Sequence, residues 1–445
     1  MLPIGIVGAG WAGLSAAHAL AHAGKPVVLF EQSPLLGGRA RNAQWQPRYP
    51  LALDESLTVD NGQHLLMGAY AQTLTLIKSL SSEQQFSELF TRSPVSLRDT
   101  NGFKLTAHPS LPAPLHLAWA LSFATGLSLT ERFALVWLMT WLQIRRWHLG
   151  TREITVQQLM QRTRQPESLC KKLWYPLCIS ALNTPAATAS AQVFANVLKD
   201  TLGSNRSDSD FIVARAALGD TLPKLIADRL TNNLQCTVYT SERVVSIAAQ
   251  TGSDQCLITT DKQTVAVQSV VLASPWSVTQ NLLRSAGLTV PAADLLVQLP
   301  ICTVYLYSKH DLKEPLQAPL MLNEDLASGH FGHWLFDLGS TRGGGRLRSV
   351  VISGPGPHQD LSRQQIGAAV KQQLSKQIGL IESTECFVIM EKNATFACTA
   401  GLKRPQAVTD HSRVKLAGDY YESPYPATLE TAVRSGLSAA RDLLV

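Results

Sequence analysis

The sequence lacks several arrangements on which enzyme chemistry often depends. Its seven cysteines are an odd number without a CxxC pair, so neither a disulfide framework nor a zinc site is indicated, and we expect reduced, buried thiols. We also find no nucleophile elbow, no cluster of metal ligands and no internal repeat. These absences argue against a hydrolase with an elbow nucleophile and against a metal centre.

Charged residues are scarce as well. They make up 16% of the chain and hydrophobic residues 45%, which is more apolar than an ordinary cytosolic enzyme. The net charge is +6, and the segment 132–172, with eight Lys/Arg and two Glu, has an excess of the same size. Such a patch suits nucleic acid or an anionic membrane. Because no basic motif with interleaved aromatics is present, we favour the membrane and expect no nucleic-acid partner.

Long uninterrupted hydrophobic runs are absent too. A spanning helix needs about 20 predominantly apolar residues. Residues 105–130 contain no charged side chain, but three prolines and two histidines interrupt them, and the apolar run 133–144 has only twelve residues. Four tryptophans near arginines indicate membrane-interacting helices near 112–147 that lie in the interface. The alternative is that these helices form the wall of a substrate cavity.

The N-terminal residues have the pattern of a dinucleotide-binding turn. An apolar run at 4–7 leads into GAGWAG, a helical stretch and the run PVVLF, which precedes Glu31. Gly8 permits a tight turn, Gly10 lets the backbone approach a pyrophosphate, and Gly13 lets the helix pack on the strand. The N–H groups at the start of the helix can bind phosphate, and Glu31 can bind a ribose hydroxyl pair.

Further motifs favour FAD over NAD. Six residues after Glu31, the run GGRAR presents Gly38 and Arg39 to a phosphate or to the flavin end of the cofactor. Near residue 414 a predicted strand leads to Gly418 and Asp419, and Asp419 can bind a ribitol hydroxyl.

The C-terminal helix completes this pattern. We predict that it starts at about Thr428, and its N terminus could face the flavin ring or the pyrophosphate. An NAD-binding fold has no need of such a return of the chain. Val244, at a predicted strand, is a further expected FAD contact.

The two ends resemble the superfamily of FAD enzymes that contains amine oxidases, protoporphyrinogen oxidase and the carotenoid desaturases. Four stretches are similar to the squalene-associated FAD-dependent desaturases, the hydroxysqualene dehydroxylases of bacterial hopanoid synthesis: DNGQHLLMGAY (60–70), LWYPLCISALNTPAATASAQVF (173–194), ATFACTAGLKRP (394–405) and AGDYYESPYPATLETAVRSG (417–436). The likeness spans nearly the whole chain. Thr431 departs from the pattern, since many relatives have glycine there.

This resemblance implies a reduction. Hydroxysqualene, a C30 isoprenoid with an allylic hydroxyl, would lose that hydroxyl and receive hydride from reduced FAD, which an unidentified donor reduces. Two alternatives are a carotenoid-type polyene desaturase or isomerase and a non-catalytic prenyl-lipid binding protein. Because the chain begins directly with a predicted core strand, we expect no signal peptide and a cytoplasmic protein, peripheral to the inner face of the bacterial membrane.

The length of 445 residues indicates more than one core. We predict an α/β fold with a discontinuous Rossmann-like FAD-binding domain (1–79, 209–280 and 406–445) and an inserted α+β substrate domain (80–208 and 281–405). GSTRGGG, at 339–345, is a predicted loop.

Asp60, His64 and Tyr420 are the candidate catalytic residues. The resemblance places the segment 60–64 in a loop that passes the isoalloxazine. His64, with an ordinary pKa near 6.5, could protonate the departing hydroxyl; the alternative is a structural histidine. Asp60 could act as a base, and the alternative is a turn or backbone-bonding residue. Tyr420 could face a cation or pack in the core.

Two other polar sites have weaker signals. Asn183 could orient the substrate hydroxyl or cap a helix. Lys403 and Arg404 could bind pyrophosphate, but we expect a solvated loop there.

Overall fold

The computed structural model describes most of the chain, namely residues 2–47, 56–232, 235–249, 254–291, 294–308, 316, 318–340, 345–379 and 385–444. Residues 341–344 of the predicted 339–345 loop lie outside this part.

The first half of the chain mixes short strands with most of the helices. Its strands are β1 (Ile4–Val7), β2 (Val27–Phe30), β3 (Asn42–Trp45), β4 (Leu57–Asp60), β5 (Leu66–Met67), β6 (Phe90–Ser93), β7 (Ser96–Arg98), β8 (Lys104–Thr106) and β9 (Phe211–Ala214). Its helices are α1 (Trp11–His22), α2 (Ala71–Leu80), α3 (Glu83–Leu89), α4 (Leu115–Ser122), α5 (Leu129–Ile144), α6 (Val156–Arg162), α7 (Glu167–Leu169), α8 (Tyr175–Leu182) and α9 (Ala191–Leu202). A π-helical turn, Cys170–Trp174, joins α7 to α8.

The second half contains more strand. Its strands are β10 (Cys236–Tyr239), β11 (Val244–Ala249), β12 (Cys256–Thr260), β13 (Thr264–Val267), β14 (Ser269–Leu272), β15 (Gln298–Ser308), β16 (Leu320–Met321), β17 (Trp334–Ser340), β18 (Arg346–Ser353), β19 (Glu385–Phe396) and β20 (Val414–Leu416). Its helices are α10 (Leu222–Thr231), α11 (Trp276–Ser285), α12 (Arg363–Ile378) and α13 (Leu429–Leu444).

A parallel sheet of order β10-β2-β1-β14-β20 holds the two ends of the chain together. Ile6 in the central strand β1 lies between Leu29 of β2 and Val271 of β14. Every residue of β1, β2 and β14 is buried, as expected for a parallel sheet that is covered on both faces. α1 packs against α10 and α13. The predicted α/β fold with a Rossmann-like parallel sheet is confirmed.

A second sheet, of order β16-β17-β18-β15-β19, is antiparallel. Thr303 of β15, an inner strand of this sheet, pairs with Val351 of β18 on one side and Ile389 of β19 on the other. α12 packs closely on β19, since a Cβ atom at Gly367 would lie 2.5 Å from the Cys386 sulfur. The strands of the two large sheets come from separate predicted segments, whereas the exact domain boundaries stay a prediction.

The helices α4 to α9 form a mainly helical region that lies in sequence between the strands β2 and β10 of the parallel sheet. Its largest buried side chains include Trp174 and Phe194. None of the helices in the described part of the chain has both the length and the apolarity needed to cross a bilayer. Asn183 ends α8 in a left-handed conformation at φ 50°, so it caps the helix at its C terminus. Its amide also bonds Pro300 O at 3.1 Å and Thr395 Oγ1 at 3.0 Å, which joins α8 to β15 and β19.

Candidate functional site

The turn between β1 and α1 has no room for side chains at two of its glycines. Gly8 has φ +101°, and a Cβ atom there would lie 2.7 Å from the carbonyl oxygen of Ala273. A Cβ atom at Gly13 would lie 1.9 Å from the carbonyl oxygen of Gly8. Both distances are far inside van der Waals contact. The tight turn and the close packing of helix on strand therefore require these two glycines.

Gly10 is free of such packing. It precedes α1 at the position where a side chain would cap the helix, and no side chain there bonds the helix N–H groups. A Cβ atom at Gly10 would meet only Gly38 Cα, at 3.9 Å, in a region where Gly10 and Gly37 form a parallel bridge. Gly38 itself has φ +64°. Two glycine turns thus lie against one another at the open N terminus of α1, where the backbone can bind an anion.

Glu31 is buried at the end of β2 and fixes this turn. One carboxylate oxygen accepts a hydrogen bond from Ala9 N at 2.8 Å, and the other accepts from Ser33 N at 2.8 Å. Each oxygen retains acceptor capacity for a hydroxyl. Glu242 N donates to Glu31 O at 2.9 Å, so the buried Val244, two residues further along the chain, lies near the same strand end.

Arg39 and Asp419 connect the two ends of the chain directly. Arg39 Nη2 lies 2.7 Å from Asp419 Oδ1, and the side chain of Asp419 is only 8% exposed. The Asp419 carboxylate raises the pKa of Arg39. Arg39 Nη1 also donates to Ala394 O in β19 at 2.6 Å. The guanidinium therefore ties the GGRAR turn to the Gly418–Asp419 loop and to the antiparallel sheet.

The start of α13 is capped by Thr428. Its hydroxyl oxygen accepts a hydrogen bond from Thr431 N at 3.1 Å, and the Thr431 hydroxyl donates to Pro426 O at 3.0 Å. Thr431 thus satisfies its hydroxyl within its own turn. α13 packs closely on α1, because a Cβ atom at Gly436 would lie 2.0 Å from Ala12 O.

The 60–64 loop lies against the antiparallel sheet. The Asp60 carboxylate accepts a hydrogen bond from Leu218 N, and Asp60 O accepts one from the Tyr305 hydroxyl at 2.9 Å. Gln63 N donates to Thr303 Oγ1 at 3.2 Å. Burial raises the pKa of Asp60 to about 7, against the opposing effect of the Leu218 hydrogen bond. Asp60 therefore bonds backbone, as one of its two interpretations required, and at neutral pH it also keeps a substantial protonated population.

His64 has the opposite electrostatic behaviour. Burial lowers its pKa to about 4 despite an opposing hydrogen bond with the Gly62 backbone, and the charge of Arg39 contributes to the lowering. His64 is consequently a neutral imidazole at pH 7. Its buried Nδ1 atom has no hydrogen-bond partner in the described part of the chain. An orphaned buried nitrogen indicates a partner outside the described residues, and neutrality favours the structural alternative over proton donation.

Tyr420 is buried with its hydroxyl fully engaged. It donates to Ser274 O at 2.9 Å, and Thr279 Oγ1 and the Tyr421 hydroxyl each lie 3.2 Å away. Burial raises its pKa to about 12. Its ring packs 5.6 Å from Trp276. Core packing and these hydrogen bonds therefore explain the position of the Tyr420 side chain. Of its predicted catalytic roles, only the contact of its ring face with a cation stays a prediction.

Arg404 corrects the expectation of a solvated loop. Lys403 is exposed, but Arg404 is partly buried and donates to four carbonyl oxygens at 2.5–3.2 Å, those of Asp419, Tyr420, Ser423 and Tyr425. Burial lowers its pKa to about 10. The loop 419–425 presents carbonyl groups to this guanidinium, which has five donors and can satisfy several at once.

Glu430 is a second residue that sequence reasoning missed. Its buried carboxylate accepts hydrogen bonds from Gln72 N at 3.0 Å and Thr73 N at 2.9 Å, and it pairs with Arg434 at 2.7 Å. It therefore caps the first turn of α2 from α13. The only signal in the sequence was a carboxylate beside a predicted helix start.

Comparison with known proteins agrees with this arrangement. The model of the family described as flavin containing amine oxidoreductase matches residues 11–444. The chain belongs to the flavin-containing amine oxidoreductase family. It is therefore an FAD-dependent oxidoreductase.

Individual relatives resemble the chain over nearly its whole length. The hydroxysqualene dehydroxylase of Zymomonas mobilis is 26% identical, with 98% of this chain and 97% of that protein covered. The hydroxysqualene dehydroxylase of Rhodopseudomonas palustris is 27% identical, with 98% and 96% covered. A structure of putrescine oxidase bound to putrescine superimposes with a TM-score of 0.71 at 14% identity, covering 100% and 99% of the two chains, which shows the shared fold.

The residues present fit the FAD of this family. Gly10 and Gly38 leave an open cradle at an uncapped helix N terminus, as a pyrophosphate requires. The Glu31 carboxylate can still accept hydrogen bonds from the hydroxyls of a ribose. The buried Nδ1 atom of His64 can bond a polar atom of the cofactor. All of the predicted FAD contacts remain predictions, and the side chains of Asp419 and Thr428 are in addition already engaged within the protein.

Proposed function

We propose that this FAD-dependent oxidoreductase converts hydroxysqualene to squalene by reductive dehydroxylation. The observation that carries the proposal is the full-length likeness to two proteins named hydroxysqualene dehydroxylase, which covers 98% of this chain. The similarity includes the nucleotide-binding turn, the helical region and the antiparallel sheet. Amine oxidation has no comparable support, because the likeness to putrescine oxidase stands at 14% identity.

The reaction breaks an allylic C–O bond and forms a C–H bond. The hydroxyl leaves as water after it receives a proton, and the carbon receives a hydride, which bound reduced FAD would supply. The two electrons then have to be restored by an external donor, which remains unidentified. The polypeptide must bind the cofactor, hold a proton near the reacting hydroxyl and exclude water.

The two candidate proton donors differ in their suitability. Asp60 keeps much of its proton at neutral pH because burial raises its pKa to about 7, whereas His64, with a pKa of about 4, is already neutral. Asp60 Oδ1 accepts the Leu218 hydrogen bond, which leaves Oδ2 to carry the proton. We therefore propose Asp60 as the residue that holds the proton and His64 as a neutral residue that orients the bound groups.

The test is anaerobic incubation of the purified protein with chemically reduced FAD and hydroxysqualene, followed by mass-spectrometric product analysis. We expect squalene to form in a 1:1 ratio with reoxidised flavin. A parallel incubation contains the oxidised flavoprotein and phytoene. If phytoene reduces the flavin there and hydroxysqualene gives no squalene, the protein is a polyene desaturase instead. Formation of neither product by the flavin-loaded protein would also contradict the proposal.

A matched pair of variants tests the role of Asp60. Asp60→Asn should lower the rate of squalene formation at least tenfold, because removal of a proton donor typically costs 10²–10⁴-fold. Asp442→Asn makes the same chemical change on an exposed carboxylate at the end of α13 and should leave the rate unchanged. Equal rates in both variants would exclude Asp60 as the proton source. The proposal that the protein converts hydroxysqualene to squalene would still stand.

A further inference from the structure

The helices α4 and α5 present a continuous series of large apolar side chains to the outside. We call this set the α4–α5 apolar surface; it consists of Leu115, Trp119, Phe123, Leu129, Phe133, Val136, Trp137 and Ile144, each between 43% and 74% exposed. These eight residues all lie within a segment of thirty. Exposed large apolar side chains grouped on two neighbouring helices are a feature of interaction sites.

The exposed side chains follow the helical period of α5. Leu129, Phe133 and Trp137 are four residues apart and so lie on one face. Leu138 and Leu142, on the opposite face, are fully buried in the core that also contains Ala120 of α4. α5 is therefore apolar on both faces, whereas the outer face of an ordinary surface helix is polar. Burial against the protein explains only the inner face.

Negative charge is missing from this region. Between residues 100 and 152 the only carboxylate is Glu131, which is buried and accepts hydrogen bonds from Lys172 at 3.2 Å and Ser168 at 2.8 Å. Beyond the C-terminal end of α5, by contrast, Arg145, Arg146 and Arg152 are exposed. The surface is therefore bordered by the exposed cations Arg145 and Arg146, and the first exposed carboxylate after α5 in sequence is Glu153, beside Arg152. This local excess of positive charge complements an anionic lipid surface.

The aromatic residues have the positions that an interface favours. Trp119 packs 4.2 Å from Phe123, and the Arg145 guanidinium lies 4.4 Å above the Trp141 ring. Tryptophan and arginine together suit the boundary between headgroups and acyl chains, where one side of each residue is apolar and the other wet. Because α5 has 16 residues, it is about 24 Å long and suits a position in the plane of the membrane.

We propose that the α4–α5 apolar surface docks this protein on an anionic lipid bilayer. Phe133 and Trp137 enter the boundary between headgroups and acyl chains, and Arg145 and Arg146 contact headgroup phosphates. The inference goes beyond the proposed function, because it depends on neither the substrate nor the cofactor. A second copy of the chain on the same surface is the competing occupant, and the experiment separates the two.

The experiment is flotation of the flavin-loaded, full-length protein with vesicles of phosphatidylcholine alone or with 30% phosphatidylglycerol. We expect the protein to float with the anionic vesicles. The double variant Phe133→Ser/Trp137→Ser should bind at least about tenfold more weakly, since each side chain loses its apolar contact with lipid. The matched control Leu295→Ser/Val297→Ser changes two residues that are 86% and 56% exposed elsewhere, and it should bind as the parent does.

A charge-reversal pair tests the role of the cations. Arg145→Glu/Arg146→Glu should weaken binding to anionic vesicles about tenfold or more and leave binding to neutral vesicles unchanged, because each cation near an anionic surface adds to the affinity. Arg363→Glu/Lys376→Glu makes the same change of charge on exposed positions of α12 and serves as the control. An equal loss in both pairs would show that only net charge matters and would overturn the assignment to this surface.

The oligomeric state distinguishes the competing occupant. Sedimentation equilibrium should show that the parent and the Phe133→Ser/Trp137→Ser variant have the same mass. If the parent does not float, or if the variant floats equally well, the proposal is wrong. A parent dimer that the variant dissociates without a change in flotation would assign the surface to a second copy of the chain instead.

Discussion

The nucleotide-binding turn and the 60–64 loop place buried polar groups in contrasting situations. In the turn, both Glu31 oxygens accept backbone hydrogen bonds of 2.8 Å, from Ala9 N and Ser33 N. In the loop, Asp60 and His64 have pKa values displaced in opposite directions by burial, and His64 Nδ1 lacks a partner in the described protein. Both carboxylate oxygens of Glu31 thus already have backbone partners, whereas His64 Nδ1 is left for a partner outside the described residues.

The sharpest test of this contrast lies within the turn. Gly13→Ala places a Cβ atom 1.9 Å from Gly8 O, so we expect the free energy of unfolding to fall by more than about 4 kcal/mol or folding to fail. Thermal unfolding and expression in soluble form measure this. Gly10→Ala is the control: its Cβ atom meets only Gly38 Cα at 3.9 Å, so the fold should persist while FAD content falls. A stable, flavin-loaded Gly13→Ala protein would refute the packing argument.

Asp60 should make the stability of the protein depend on pH. Because its pKa rises from the ordinary 3.8 to about 7 on folding, folding binds a proton, so the stabilisation is complete below about pH 4 and is lost as the pH rises through about 7. Relative to Asp60→Asn, the parent should lose up to about 4 kcal/mol between these limits. Urea unfolding at several pH values measures the difference. Parallel curves for the two proteins would show that Asp60 is not desolvated.

His64 should give the reverse trend. Its pKa falls from 6.5 to about 4 on folding, so unfolding binds a proton and the parent loses stability as the pH drops from 6.5 towards 4. His64→Gln should remove this loss, by at most about 3 kcal/mol. Turnover should show no His64-dependent step between pH 6 and 8. His148→Gln, which changes an exposed histidine, is the control. If the activity of the parent changes near pH 6.5 and only His64→Gln abolishes that change, His64 is the catalytic acid after all.

The Arg39–Asp419 pair should have the smallest effect, because Arg39 is 42% exposed. We expect Arg39→Met to lower the free energy of unfolding by about 1–2 kcal/mol, since it leaves the buried Asp419 carboxylate without its cation. The double variant Arg39→Met/Asp419→Asn should recover part of this loss. Strictly additive effects in the double-mutant cycle would contradict direct coupling between the two side chains.

Short-range patterns predicted the cofactor-binding end well. The glycine turn, the strand before it and the helix after it follow from local spacing, and the C-terminal strand and helix begin within one residue of the predicted positions, at Val414 and Leu429. The confirmed fold class rests on the same local signals. Such features need only neighbours in sequence, and therefore sequence reveals them.

Contacts between distant residues could not be predicted. The carboxylate of Glu430 caps a helix 358 residues earlier in the chain, and Arg404 binds carbonyl groups that only the folded loop brings together. Nor could sequence separate the two interpretations of α5, since an apolar helix has the same periodicity whether it is buried or exposed. Only the packing of the folded protein shows that Phe133 and Trp137 are exposed on the outer face of α5.

The central sheet also has a consequence for the order in which the chain folds. β20 forms the edge of the parallel sheet beside β14, and α13 covers α1 so closely that Gly436 lies against Ala12 O. A nascent chain that leaves the ribosome with β1, β2 and β14 complete therefore still exposes one sheet edge and one side of α1. The first residues synthesised therefore complete their packing only after the last residues have folded against them.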